Sequence, residues 1–191
     1  MDDEALFRTG LHESGHALVA VLMRRRIAYV TVRPARGTLG RTVFAERYVV
    51  DGQDHRQVER EAALALAGFV AELIYDPTRA PTGCTEDVER AWRLTRALGH
   101  SEARFTELVW RTTKMLMAVW PCVLATATEL CRRKQLNGCV VRRLIQRELG
   151  LRHRWSRDRT EPQHSGEHAS LADRAGARRG GRQLGRAGSS A

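Results

Sequence analysis

Two histidines stand four residues apart around a glutamate in the apolar run LHESGHALVAVLM, residues 11–23. On a helix, positions i and i+4 share a face about one turn apart, so His12 and His16 can bring two imidazole nitrogens to one divalent metal. Zinc takes nitrogen ligands at about 2.0–2.1 Å, a reach this spacing supplies. Glu13 lies roughly 100° further round the helix. From there it could accept a proton from a metal-bound water without itself binding the metal. Gly15, a residue that costs a helix about 1 kcal/mol relative to Ala, suggests that another segment approaches closely at that turn. The bland alternative is a set of core or surface polar residues with satisfied hydrogen bonds and no metal. A zinc centre that keeps one position open for water needs a third protein ligand. The two histidines have none beside them, so it must come from elsewhere in the chain.

A helix is needed to present these residues, and residues 4–25 read as one amphipathic helix. Leu6, Leu11, Ala17, Leu18, Val21 and Leu22 recur at helical spacing, and Arg24, Arg25 and Arg26 suit the negative end of the helix dipole. In residues 27–46, IAYVTVRPARGTLGRTVFAE, alternation and turn signals at Pro34, Gly37 and Gly40 predict a small β-hairpin or short sheet. So few strands must lean on the helices. Residues 54–75 predict a second helix, apolar on nearly every side and hence central. Pro77 and Pro81 bracket a loop. Further helices are expected over about 86–98, 102–119, 121–134 and 139–149, with Asn137-Gly138 as a break. The fold class is therefore mainly α, with a small sheet between the first and second helices.

From Leu151 onward the character changes. Residues 151–191 hold nine Arg against four acidic residues among Gly, Ser and Ala, and read as a basic, disordered tail behind a domain at 1–150. The net charge of the chain is +10, yet its only lysines are Lys114 and Lys134. Such an arginine bias can reflect base composition, so nucleic acid is only weakly suggested, through the tail. The cysteines, Cys84, Cys122, Cys131 and Cys139, form no C-x-x-C pair. The opening Met1-Asp2-Asp3-Glu4 is acidic where a signal peptide is basic, and the apolar stretch Ala17–Met23 is too short to span a bilayer. Free thiols and a cytoplasmic location are expected. Trp92, Trp110 and Trp120 are expected in helix cores. His55 and His100 read as surface residues or caps.

Four segments in order, LHESGHALVAVLM, VTVRPARGTLGRTVF, LALAGFVAELIY and TGCTEDVERAWRLT, resemble the peptidase domain of the FtsH-type ATP-dependent zinc proteases. ELCRRKQLNGCVVRRLI resembles that domain's closing helices, so the resemblance spans about residues 6–148. It implies a helical zinc-peptidase fold, a Zn²⁺ cofactor, and Asp87 as the third ligand, from the T-G-x-x-x-D-x-x-x-A segment. Two rivals remain for that position. Glu72 is an acid on an apolar helix, where buried acids are paired or metal-bound; the resemblance assigns it to hydrogen-bonding a ligand histidine. Cys84 is a competent zinc donor at a position where the family usually has a small residue.

The implied activity is zinc-dependent hydrolysis of peptide bonds in unfolded or flexible polypeptides, with Glu13 as the proton acceptor. An edge strand within residues 27–46 could pair with an extended substrate. The departures from the family also carry information. No G-x-x-x-x-G-K-[ST] phosphate loop occurs, so ATP-driven degradation would need a separate ATPase or unfoldase. Glu72 stands alone where the family usually shows two adjacent acids. The family's hexameric rings make a homo-oligomer compatible with the sequence, although the ATPase module contributes to those rings. Two other readings are a catalytically idle binding or assembly module and a nucleic-acid-associated regulator acting through the tail. The intact Glu13 argues against the idle module.

Overall fold

The computed structural model describes residues 2–35, 37–46, 54–81, 84–97, 99 and 102–150. The expected tail at 151–191, the Thr82-Gly83 pair and His100 lie outside the described residues. The protein is mainly helical, with a small three-stranded sheet. In chain order the elements are α1 (Asp3–Leu22), β1 (Ile27–Thr31), β2 (Arg41–Phe44), α2 (His55–Tyr75), α3 (Thr85–Ala97), α4 (Glu102–Ala118), α5 (Trp120–Arg133), β3 (Gln135–Asn137) and α6 (Gly138–Glu148).

Helix α1 starts where Asp2 caps it, its carboxylate accepting from the Ala5 amide at 2.7 Å, with Asp3 and Glu4 on the positive end of the dipole. The sequence predicts an amphipathic helix; the structure buries α1 on every side from Arg8 to Val21. It is the central rod, packed between α2 and α5, while α2 carries α3 and α4 on its other faces. A rod with neighbours all round needs no polar stripe through its middle, so its polar residues there serve some other end. The helix also stops at Leu22, short of the arginines expected to close it. Arg24 takes a left-handed conformation (φ 60°), and Arg25 turns back to hold Glu61 on α2 through two bonds of 2.7 and 2.8 Å.

Close approach of α1 and α2 depends on Gly15, where a Cβ would fall 2.4 Å from the Ala67 carbonyl oxygen. On α2, Asp54 caps the first turn, accepting from the amides of Arg56 and Gln57. The sheet order is β2-β1-β3, with both pairings antiparallel. Val30 and Val32 are buried in the core, and Thr31 between them is buried as well, its hydroxyl donating to the Lys134 carbonyl at 3.0 Å. β3 is a strand that the sequence does not announce: three residues carry no periodicity. Lys134, left-handed at φ 64°, ends α5 and turns the chain so that Leu136 pairs with Val30.

Of the tryptophans, Trp92 packs edge-on to Phe105 with ring centroids 5.0 Å apart. Trp110 contradicts the expectation of core packing: it is 56% exposed, with the Lys114 ammonium 3.7 Å above its ring. Trp110 and Lys114, at i and i+4 on α4, form a surface cation–π pair instead. The four cysteines are free. Among the described residues, no single helix is long and apolar enough to cross a membrane.

Candidate metal centre

The middle of α1, the glycine-bearing face of α2 and the first turn of α3 meet at one point. His12 Nε2 and His16 Nε2 are 3.0 Å apart. Asp87 Oδ2 is 3.1 Å from each. Among the described residues, these three form the one group of His, Cys, Asp and Glu donors close enough to share a metal. Local sequence accounts for each arm. The i, i+4 spacing stacks the two imidazoles on one face of α1. Asp87 sits in the first turn of α3, where the helix dipole favours a carboxylate. Gly68 on α2 supplies the space: a Cβ there would fall 2.5 Å from the Nε2 atoms of both histidines.

The ring tautomers follow from the partners on the far side. His12 Nδ1 lies 2.8 Å from Glu72 Oε1, and His16 Nδ1 lies 2.8 Å from the Leu64 carbonyl oxygen. The carbonyl can only accept, and the Glu72 carboxylate, paired with Arg8 at 3.3 Å, serves as the acceptor on the other ring. Both Nδ1 atoms are therefore donors, and both Nε2 atoms turn a lone pair towards Asp87. With both rings neutral, the three acceptors face one another and call for a cation at their centre, a proton or a metal ion. Tetrahedral zinc ligands at about 2.0–2.1 Å stand about 3.3–3.4 Å from one another, close to the spacing found here. The donor set thus fits a zinc-type ion, and all three donor residues line one cleft.

Electrostatics express the same demand. Burial works against a charge on His12, but hydrogen bonds to Asp87 and Glu72 and the fields of Glu13 and Asp87 outweigh it and push the imidazole up to about 10. Burial also opposes ionisation of Asp87, yet the two imidazoles hold its carboxyl well below the usual carboxylate range. Glu13 is pushed above its ordinary value by burial, an effect that the two histidines and the Thr42 hydroxyl only partly offset. A carboxylate raised in this way is better matched to proton transfer near neutral pH.

The cleft in front of the three donors has a volume of about 430 Å³ and is walled by Gly37–Thr42 and Phe44 on one side and by Thr85–Asp87 and Arg90 on the other. Glu13 lines it beside the histidines. Neither rival for the third position reaches the donor triangle. Glu72, 1% exposed, is engaged with His12 Nδ1 and Arg8 behind the rings. Cys84 directs its thiol to the Pro81 carbonyl at 3.8 Å, and burial together with the field of Glu72 raises its pKa, which disfavours the thiolate a metal needs.

Sequence reasoning missed three contributors. Arg8, only 3% exposed, pairs with Glu72 and, at 3.5 Å, with Asp76. It stands one turn before His12 on the same face, and a lone arginine in an apolar stripe is a legible signal. Gly68 could have been found by the reasoning applied to Gly15. Thr42, whose hydroxyl donates to Glu13 Oε2 at 2.8 Å, left no local trace.

The sequence profile of peptidase family M41 matches residues 1–101, more than half the chain. Among curated relatives, an "ATP-dependent zinc metalloprotease FtsH" of Rickettsia bellii is 31% identical over 101 residues, covering 51% of this chain and 16% of the relative. An "ATP-dependent zinc metalloprotease FTSH, chloroplastic" of Medicago sativa is 33% identical over 92 residues, 46% of this chain and 13% of the relative. The Haemophilus influenzae FtsH protease is 31% identical over 99 residues, 50% of this chain and 16% of the relative. The matched region thus spans under a fifth of each of these relatives.

Proposed function

The chain belongs to peptidase family M41, and from that premise we propose that it hydrolyses peptide bonds in unfolded or flexible polypeptides, with a zinc ion held by His12, His16 and Asp87. The observation that carries this reading is the convergence of Nε2, Nε2 and Oδ2 at 3.0–3.1 Å, with both Nδ1 protons engaged behind the rings. Zinc in such a setting supplies Lewis acidity, lowering the pKa of a water to about 7 and polarising the scissile carbonyl.

The chain's own residues would do the rest. Glu72 and the Leu64 carbonyl fix the tautomers and ring orientations of the two histidines, a support that typically contributes about 10–100-fold in metal affinity. Glu13 takes the proton of the attacking water and passes it to the leaving amine, a role worth about 10²–10⁴ in rate. β2 is an edge strand in the order β2-β1-β3, and its residues wall the cleft. An extended polypeptide can add to that edge by main-chain hydrogen bonds, which are indifferent to side chains and suit unfolded substrates. ATP dependence belongs to the names of the relatives; here any unfolding would come from sequence outside these 191 residues, in the same or a separate polypeptide.

The test pairs metal analysis with cleavage of casein by the wild type and by Glu13→Gln. The expected outcome is about one zinc per chain in both proteins, with cleavage lost only in the variant. Equal activity in the two, or metal without cleavage in the wild type, would overturn the peptidase reading; the second result would favour an idle binding module.

A further inference from the structure

Strand β2 and the residue just before it reach the site in two ways, and both fall on Glu13. At Gly40 the backbone comes so near that a Cβ would lie 2.8 Å from Glu13 Cγ and Oε1. Two residues on, within β2, the Thr42 hydroxyl lies 2.8 Å from Glu13 Oε2 and 3.2 Å from the Glu13 carbonyl oxygen. The hydroxyl has one proton to give, and the carboxylate is the stronger and nearer acceptor. The Thr42 hydroxyl thus lies at hydrogen-bond distance from the Glu13 carboxylate.

A glutamate left without such a bond keeps several rotamers. A carboxylate lining the same cleft as three metal donors is also an oxygen ligand that could fill the position solvent needs. Holding one of its oxygens on β2 solves both problems. We propose that Thr42 is a positioning residue: its hydroxyl aims the Glu13 carboxylate and ties that aim to strand β2, the edge on which the substrate is proposed to lie. This rests on the peptidase reading for its consequence in catalysis, but the contact can be tested without turnover.

Two substitutions separate the hydroxyl from the volume. Thr42→Val keeps the branched shape and removes the donor, whereas Thr42→Ser keeps the donor. In the zinc-loaded protein, Thr42→Val should lower kcat by about tenfold to a hundredfold while KM stays within about twofold, and Thr42→Ser should recover most of the loss. In the metal-free protein at fixed pH, the Glu13 side-chain carboxyl ¹³C resonance, assigned by its disappearance in Glu13→Gln, should be a single sharp line in wild type and Thr42→Ser. It should shift and broaden in Thr42→Val. A resonance unmoved by Thr42→Val, or a kcat unchanged, overturns the proposal. Should the resonance move in a protein that cleaves nothing, the peptidase reading fails and the positioning contact stands.

Discussion

At the residue scale, the buried polar groups divide into those with a role at the site and those without one. Gly68 leaves room for two imidazoles and nothing more. Gly68→Ala would set a Cβ 2.5 Å from both Nε2 atoms, so the rings must turn away. Because Ala favours a helix by about 1 kcal/mol, the expected outcome is a folded protein by circular dichroism that no longer co-purifies with zinc. Glu72 balances two partners at once. Glu72→Ala would remove the acceptor for His12 Nδ1 and strip Arg8 of its nearest acid, leaving a charge that is 3% exposed. Arg8 keeps only the longer contact to Asp76 at 3.5 Å; fully unpairing a buried ion costs about 3–5 kcal/mol, so urea unfolding should show a loss of up to that order. Ser14 sits on α1, fully buried, and its hydroxyl has no hydrogen-bond partner among the described residues. Its removal should therefore help: Ser14→Ala is expected to raise stability by about 1 kcal/mol, measurable as a higher urea midpoint at unchanged slope.

At the element scale, the site is a junction of three helices of unequal security. α1 is buried on all sides through its middle, and α2 on most of its length. α3, which carries Asp87, buries only Ala91 and Thr95. Its hold on the rest therefore depends more on the bonds at its first turn. Removing the metal should loosen α3 first: amide exchange is expected to speed up at about residues 86–91 after chelation, while the middle of α1 keeps its protection. The α1–α2 crossing is the reverse case. Gly15→Ala would drive a Cβ to 2.4 Å from a backbone oxygen that cannot swing aside. Overpacking of this kind costs about 1–3 kcal/mol, read as a lower thermal midpoint with or without zinc.

At the scale of the whole molecule, a ligand that binds only the folded chain adds stability by mass action, about 4 kcal/mol when present at a thousand times its dissociation constant. For a domain of this size that corresponds to roughly 10 °C in Tm. Chelation should lower the Tm by that order, and the loss should be reversed by zinc. Acidification should mimic chelation, because the ligands bind only when deprotonated. A chain ending at residue 150 should keep the midpoint and the metal, since the described core and the three donors all lie before that residue. A shortened chain that aggregates or loses zinc would show that the expected domain boundary is misplaced.

What the sequence determined by itself follows from local rules. The spacing of His12, Glu13 and His16 follows from helical periodicity. The helices and the β1–β2 pair follow from apolar pattern, capping acids and Gly or Pro breaks, and the order of these segments carried the family resemblance. Composition also marked Gly15 as a point of approach. Only the tertiary structure decided the rest, because those facts are distances between residues far apart in the chain. Asp87, which the family resemblance named, stands 75 positions from His12, and Thr42, which nothing named, stands 29 from Glu13; no local pattern encodes such pairings. The third strand, three residues long, exists because β1 offers it a partner. The burial of α1 all round, the exposure of Trp110 and the ion pair that keeps Glu72 behind the histidines likewise depend on which neighbours arrive. Periodicity constrains a segment's face, whereas packing selects what that face meets.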